Sequence, residues 1–496
     1  MKLLFVFLLL LIATARATVF SEFYCIGQMG TNVNSGHTTN AGPTYFFNTG
    51  NFTNTSATVG DFFTAAGQDL SSVTNGAWAS VYTNSATNAT FIGKVLAVSD
   101  ANDFISVSLT NKSGAVPADN VGNMAIRVGG AWNGPMGAGG FPLNFAGAYL
   151  TNNPAHSFRG NLQAQTYFVT ATITCSSNGP LCWQGYTSIP GDGGRATFVD
   201  DTTASGYTML TASGANNSFV GLEFTNAFTA GSVDMIAGTG AELFFERVVT
   251  HDSRLSGFDF TSGNALLVEC EAYRCNKANT AGRGGVSFRS GTGGTLDRCV
   301  LHDNTGANNA GLVTFASLTV VDCIFYNNQE GAVISTVGLF AGTGLNIYSN
   351  ASDGLDLTGT SLTGILLRNS NFLKNGGYGI NSSGSTSLRN GAIVNCGFGS
   401  GTETNASGSI VVGLVLDESG SLIYGSGLTP WVDPANGNFT ITAASPAAFV
   451  GRGNFTQNTV NSPTNTVSYP SIGASFPTNA PGAGGAAVTT GHGYAP

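Results

Sequence analysis

The sequence predicts a mostly β fold: a right-handed parallel β-helix over residues 165–430, preceded by a β-rich N-terminal region and followed by a flexible Pro/Gly-rich C-terminal tail. Three observations lead there. Of 496 residues, 69 are Gly, 18 are Lys or Arg and 27 are Asp or Glu, so turn formers are plentiful and the residues that build long surface helices are scarce. Disorder is excluded because 33 Phe and 14 Tyr need a dry interior. Finally, short runs of strand-forming residues end on Asn or Asp at a regular interval, which is the mark of a solenoid.

Along the chain, residues 1–17 read as a signal peptide. Lys2 precedes the apolar run Leu3 to Ile12, and Ala13, Ala15 and Ala17 supply small residues for cleavage. The run is too short for a good membrane span, so a secreted or extracellular-surface location is expected. Residues 18–120 read as a small β-rich domain, in which Ala89–Val98 and Phe104–Leu109 form two strands around the turn Asp100–Asp103. Residues 121–164, with Gly129-Gly130 and Gly137 to Phe141, suit a glycine-rich linker or cap. Residues 431–475 are expected to cap the other end, and 476–496 to form the tail.

The repeat itself is marked by Asn226, Asp252, Asn276, Asn304, Asn328, Asn350, Asn375 and Asn395, spaced by 26, 24, 28, 24, 22, 25 and 20 residues. Three short strands and their turns fill such a coil, and stacked Asn side chains can hydrogen-bond along the stack while tolerating left-handed dihedrals. Leucine-rich repeats share the spacing but need a Leu framework absent here. Right-handedness follows from the general rule for parallel crossovers.

Eight cysteines in an exported chain raise the question of disulfides. Cys175 and Cys182 flank the turn-rich Ser176–Pro180, which could bring two strands within bridging distance. Cys299 and Cys323 fall in one slot, five residues before Asn304 and Asn328. They are expected as a stack of small inward residues, with a bridge between adjacent coils as the alternative.

A net charge of −9 with no basic stripe argues against nucleic acid. Charge is concentrated instead: 15 of the 45 charged residues lie between Glu242 and Asp303, and a polar site is expected there.

The stretch from Phe219-Val220-Gly221-Leu222-Glu223-Phe224 to Gly397 resembles the right-handed β-helix repeats of the pectate lyase-like superfamily, and of bacterial secreted and surface proteins built on the same repeats. Gly185-Tyr186 to Gly193-Gly194-Arg195-Ala196-Thr197-Phe198 resembles the lead-in to their first coils. The resemblance covers about half the chain. It implies the fold and contact with a polysaccharide or cell-surface glycan, whereas the activities it spans include lyases, glycosidases, epimerases, tailspikes and adhesins.

The expected function is binding, adhesive or structural work with carbohydrate contact; the alternative is a polysaccharide-degrading enzyme, lyase before glycoside hydrolase. A lyase needs a cation or Arg on the uronate and a base for its C5 proton. Glu271, Arg274, Asp297 and Arg298 are the catalytic candidates, and Glu269, Asp303, Tyr273, His302 and Tyr326 the substrate-binding ones. No cofactor is called for, although Glu269 and Glu271 could hold Ca²⁺. Glu271 with Asp297 could serve a glycosidase as a carboxylate pair. The motif strings usual in such lyases and glycosidases are missing, and the plainer reading has Glu269, Glu271, Arg298 and Asp322 as an outward charge ladder. His251 and His302 are expected as exposed corner residues. Self-association through open coil ends is a further possibility.

Overall fold

The computed structural model describes residues 19–25, 43, 45–83, 91–114, 117–128, 156–169, 172–175, 181–200, 207–226, 234–289, 291–335, 339–358, 364–368 and 370–381, together with the strands at 391–394, 397–399, 404–405, 422–424, 431–433 and 438–441. The expected signal peptide, most of the 121–164 segment and the expected tail lie outside them. The chain divides into two units, Met1–Gly294 and Thr295–Pro496.

In the first unit, six antiparallel strands close into a barrel in the order Tyr45–Asn54, Val59–Phe63, Phe104–Gly114, Phe91–Ser99, Trp78–Thr83, Val121–Val128. Alternation decides its inside: Phe52, Phe62, Phe91, Ile105, Val107 and Ile126 are fully or almost fully buried and pack into one core, each contributing roughly 2 kcal/mol. The expected hairpin is present, with Asp100–Asn102 as a 3-10 turn and Asp103 in the left-handed region. The strand Val19–Cys25 lies outside the barrel; it pairs in parallel with His156–Gln163.

The rest of the first unit is a parallel solenoid. One sheet runs Val19–Cys25, His156–Gln163, Leu181–Tyr186, Asn217–Val220, Leu243–Glu246, Gly263–Val268; a second Ile173–Cys175, Leu210–Ala212, Ile236–Gly238, Phe258–Phe260, Arg283–Phe288; a third Thr166–Val169, Ala196–Asp200, Leu222–Asn226, Val249–His251, Glu271–Tyr273. Neighbouring strands come from successive coils, so one strand of each sheet is supplied per turn. Inward aromatics therefore stack rung on rung: Tyr167 on Phe198 at 5.4 Å, Phe198 on Phe224 at 4.9 Å, Phe219 on Phe245 at 5.1 Å. The second unit repeats the plan, for example with Val300–His302, Ile324–Tyr326, Asn346–Tyr348 and Asn371–Leu373 in register.

The corners differ from the expectation. In the second unit Asn304, Asn328, Asn350 and Asn375 do form a ladder. Each side-chain amide donates to the next Oδ1, at 2.9, 3.1 and 2.9 Å. The left-handed backbone, however, falls one residue earlier, on Asp303, Asn327, Ser349 and Lys374. In the first unit the ladder slot is filled by Ser253 and Cys275, because Asp252 is level with Arg274, one rung beyond the pairing His251 to Tyr273. Asn226 is level with Asp252, but Asn276 is two residues further along, so the first-unit markers do not share one corner. Asp252 and Arg274 take the left-handed turn there.

A second left-handed corner was not anticipated. Arg247, Glu269, Arg298 and Asp322 all have φ between 51° and 53°, a conformation costing an L-residue about 1 kcal/mol or more. The geometry is maintained because the corner N–H donates into the next coil, from Arg247 to Val268 O and from Arg298 to Val321 O, both 2.9 Å. Glu269, Arg298 and Asp322 are therefore corner residues, and the single strand ladder expected for them with Glu271 does not form.

The expected disulfides are also corrected. None of Cys175, Cys182, Cys270, Cys275, Cys299 and Cys323 forms a disulfide. Cys175 points into the core, whereas Cys182 occupies the partly exposed slot between the buried Leu181 and Trp183; the two thiols look to opposite sides of the coil wall. Cys299 and Cys323 form the expected inward stack, fully buried, with the Cys299 N–H donating to Cys323 Sγ at 3.3 Å.

Candidate functional site

The third sheet of the first unit forms a wall whose outward positions are open at some strands and buried at Val249 and Glu271. Its registers place two columns of side chains across the strands: Thr166, Thr197, Glu223, Val249, Glu271, and beside it Phe168, Val199, Thr225, His251, Tyr273. Five strands span on the order of 19 Å at about 4.8 Å per rung.

The wall's first cation is set by the loop before it. Asp192 accepts backbone N–H bonds from Thr187 at 2.8 Å, Ser188 at 2.6 Å, Ile189 at 3.0 Å and Gly194 at 3.1 Å. The donors at Ile189, Ser188 and Thr187 hold its carboxyl well below the usual range. A Cβ on Gly194 would lie 2.2 Å from Thr187 N, so the loop closes only around glycine. It delivers Arg195 to the start of Ala196–Asp200, with Nη1 3.9 Å from Glu223 Oε2.

His251 is the centre of the wall. Its Nε2 lies 3.1 Å from Glu223 Oε1 and its Nδ1 2.7 Å from Asp252 Oδ2. The ring stacks on Tyr273, 4.6 Å away and 5° from parallel. Asp252 is shared further, with Arg274 Nη2 at 2.7 Å and Lys277 Nζ at 2.8 Å, and the Arg274 guanidinium lies over the Tyr273 ring at 4.8 Å. Burial opposes charge on His251, but the bonds to Glu223 and Asp252 outweigh it and raise its pKa. The His251 bond lowers that of Glu223. Burial pushes Asp252 up, yet Lys277 and His251 bring it below the ordinary value.

The carboxylates are recessed and the cations are not. Side-chain exposure is 40% for Arg195, 52% for Arg274 and 41% for Lys277, against 25% for Glu223, 19% for Asp252 and 12% for His251. The layer nearest solvent is therefore cationic.

Of the residues nominated from sequence, Glu271, Tyr273 and Arg274 meet on this wall, with Glu271 buried. Glu269 stands at the corner before the strand. In the second unit Asp297 pairs with Arg298 at 3.0 Å, and His302 Nδ1 lies 2.8 Å from Asp303 Oδ2. His302, Tyr326 and Tyr348 stack at 4.7 and 5.2 Å within 8° of parallel, so both faces of Tyr326 and one face each of His302 and Tyr348 are covered. Neither His251 nor His302 is the exposed corner residue expected: both rings lie on strands, tucked against a tyrosine. Sequence reasoning missed Arg195, Glu223 and the role of His251, since the contact partners are 28 residues apart and two of the three lie outside the charge-dense segment.

The second unit carries another polar group. Glu330 Oε2 accepts from the Asp353 N–H at 2.8 Å, and Asp353 Oδ2 from Asn381 Nδ2 at 2.7 Å. Burial pushes the Glu330 carboxyl up to about 7; burial and then Asp353 push Asp356 up to about 6. Among the described residues, no three His, Cys, Asp or Glu side chains converge as metal ligands would. Among them, too, no helix is long and apolar enough to cross a membrane.

The family model described as "Right handed beta helix region" matches residues 208–361. The solenoid is a right-handed parallel β-helix. Comparison with curated proteins gives no match. Among solved structures, the β-helix is similar to pectate lyase Pel9A, with 18% identity over 68% of this chain and 93% of that one and a TM-score of 0.49. It is similar to a rhamnogalacturonan lyase, with 14% identity, 56% and 82% coverage and a TM-score of 0.40. A third likeness is to the A-module of the Azotobacter vinelandii mannuronan C-5 epimerase AlgE4, with 15% identity, 55% and 91% coverage and a TM-score of 0.39.

Proposed function

We propose that this chain is an exported β-helix protein that binds a carboxylate-bearing polysaccharide along the wall of Arg195, His251, Arg274 and Lys277. The observation that carries the reading is the layering of charge: three solvent-facing cations stand in front of carboxylates that fix their positions. A linear glycan with repeated carboxylates meets such a row without a pocket, and the outward Thr166, Thr197 and Thr225 add hydroxyl partners. Each exposed charge contact is worth about 1 kcal/mol or less, or up to ~fivefold in affinity.

The test is retention of the full chain on immobilised polygalacturonate, alginate and dextran. Retention is expected on the first two and not on the third, weakening with salt, and with Arg195→Ala and Arg274→Ala each releasing the chain at lower salt. Equal retention on dextran, or indifference to both substitutions, would refute the reading.

A second reading, turnover of such a glycan, is favoured by one observation: the Glu330 and Asp356 carboxyls hold their protons toward neutral pH, as a general acid must. Release of reducing ends or unsaturated uronate ends, lost in Glu330→Gln and Asp356→Asn, would support it; no product from any of the three polysaccharides would remove it.

A further inference from the structure

We propose that His251 is a positioning residue that ties glycan capture to pH: doubly protonated, it donates to Glu223 and Asp252 together, offsets their charge and leaves the positive charge of Arg195, Arg274 and Lys277 in excess toward a polyanion. This rests on the binding reading above and adds its regulation.

The argument begins with the ring. An imidazole donates from both nitrogens only as the cation, and both nitrogens of His251 face carboxylate oxygens, at 3.1 and 2.7 Å. On deprotonation, one nitrogen turns a lone pair toward a carboxylate. The ring has little room to swing away, because Tyr273 lies parallel against it at 4.6 Å. The carboxylate that loses its donor then draws on its remaining partners: Arg195 in the case of Glu223, Arg274 and Lys277 in the case of Asp252. Those are the cations that face solvent.

Formal charge points the same way. The groups around the ring are Glu223 and Thr225 from Leu222–Asn226, Arg195 at the head of Ala196–Asp200, Glu271 and Tyr273 from Glu271–Tyr273, Asp252 beside the ring in its own chain segment, and Arg274 and Lys277 from the following turn. Three carboxylates balance three cations. The wall is thus formally neutral with a neutral His251 and positive with a protonated one. The imidazole is only 12% exposed, which limits screening by salt. The bonds to Glu223 and Asp252 hold its pKa above the ordinary histidine value, so the change falls on the alkaline side of an unperturbed histidine.

The test is retention on immobilised polygalacturonate between about pH 5 and about pH 9, where the polysaccharide stays ionised and histidine is the ordinary side chain that titrates. The wild-type chain is expected to lose at least ~fivefold in affinity through one proton step. His251→Gln should give a flat profile. Glu223→Gln removes one of the carboxylates that hold the proton and should move the midpoint to lower pH; this shift is the readout that a merely structural histidine would not produce, and it decides the matter alone if His251→Gln does not fold. A wild-type profile that is flat, or superimposes on that of His251→Gln, or keeps its midpoint in Glu223→Gln, would overturn the proposal. Absence of retention at every pH would overturn the binding reading itself.

Discussion

Replacing Asn328 by Ala is expected to be among the most costly single changes in the second unit. The side chain is almost fully buried. Its Oδ1 accepts from Asn304 N at 3.2 Å and Asn304 Nδ2 at 2.9 Å, and its Nδ2 donates to Leu301 O at 3.0 Å and Asn350 Oδ1 at 3.1 Å. Four hydrogen bonds at about 1 kcal/mol each give a loss of ~4 kcal/mol, and buried groups left without partners add to it. The neighbouring Asn327 supplies the contrast. It is exposed, holds the left-handed corner at φ 53°, and should accept Gly within ~0.5 kcal/mol, since relief of the corner offsets the added chain entropy. Urea unfolding followed by far-UV circular dichroism measures both, with the midpoint shift interpreted at constant slope. If Asn328→Ala lies within ~1 kcal/mol of the wild type, or Asn327→Gly is the more damaging of the two, the ladder does not hold the corner and the reasoning fails.

Stability should fall as pH rises from about 4.5 to about 7. Glu330 keeps its proton in the folded state up to about 7, against 4.5 for the ordinary carboxyl, so the native state binds more protons than the unfolded chain across that window. Thermal midpoints taken at stepped pH should show the decline and a shallower one in Glu330→Gln; identical slopes would contradict the assignment. The cysteines should be silent: burial pushes Cys275 up to about 12 and raises Cys175 and Cys323 as well. Burial raises the Cys182 thiol too, but Cys182 is the one of the six described cysteines that is not buried, so it should react with a thiol reagent first, and a cross-linked Cys175–Cys182 peptide in a non-reducing digest would disprove the arrangement.

The solenoid was legible because its cause is local and repeated. Every two dozen residues the chain must turn, and Asn304, Asn328, Asn350 and Asn375 recur for that reason. Cys299 and Cys323 were legible as an inward pair since two small residues share one slot. The exact corner was not, because Asp252 and Asn276 look equally suited to a turn and only the pairing of His251 with Tyr273 separates them. Nor does sequence announce that Arg247, Glu269, Arg298 and Asp322 carry left-handed backbone, when Gly221 and Gly344 do the same work elsewhere. The wall was half legible: Glu271, Tyr273 and Arg274 are sequence neighbours, whereas Glu223, His251 and Arg195 meet only when three coils are superposed. Closure of the barrel depends on Val121–Val128 pairing with both Tyr45–Asn54 and Trp78–Thr83, long-range information that local alternation does not contain.

The corners also separate what the interior demands from what the surface displays. At Glu269, Arg298 and Lys374 the left-handed backbone makes the corner and the side chain is exposed. Exchanging Arg for Glu at such a position leaves the stacked rings and thiols untouched. Successive coils can then be relettered, sign by sign, while the strands beneath keep their pairing.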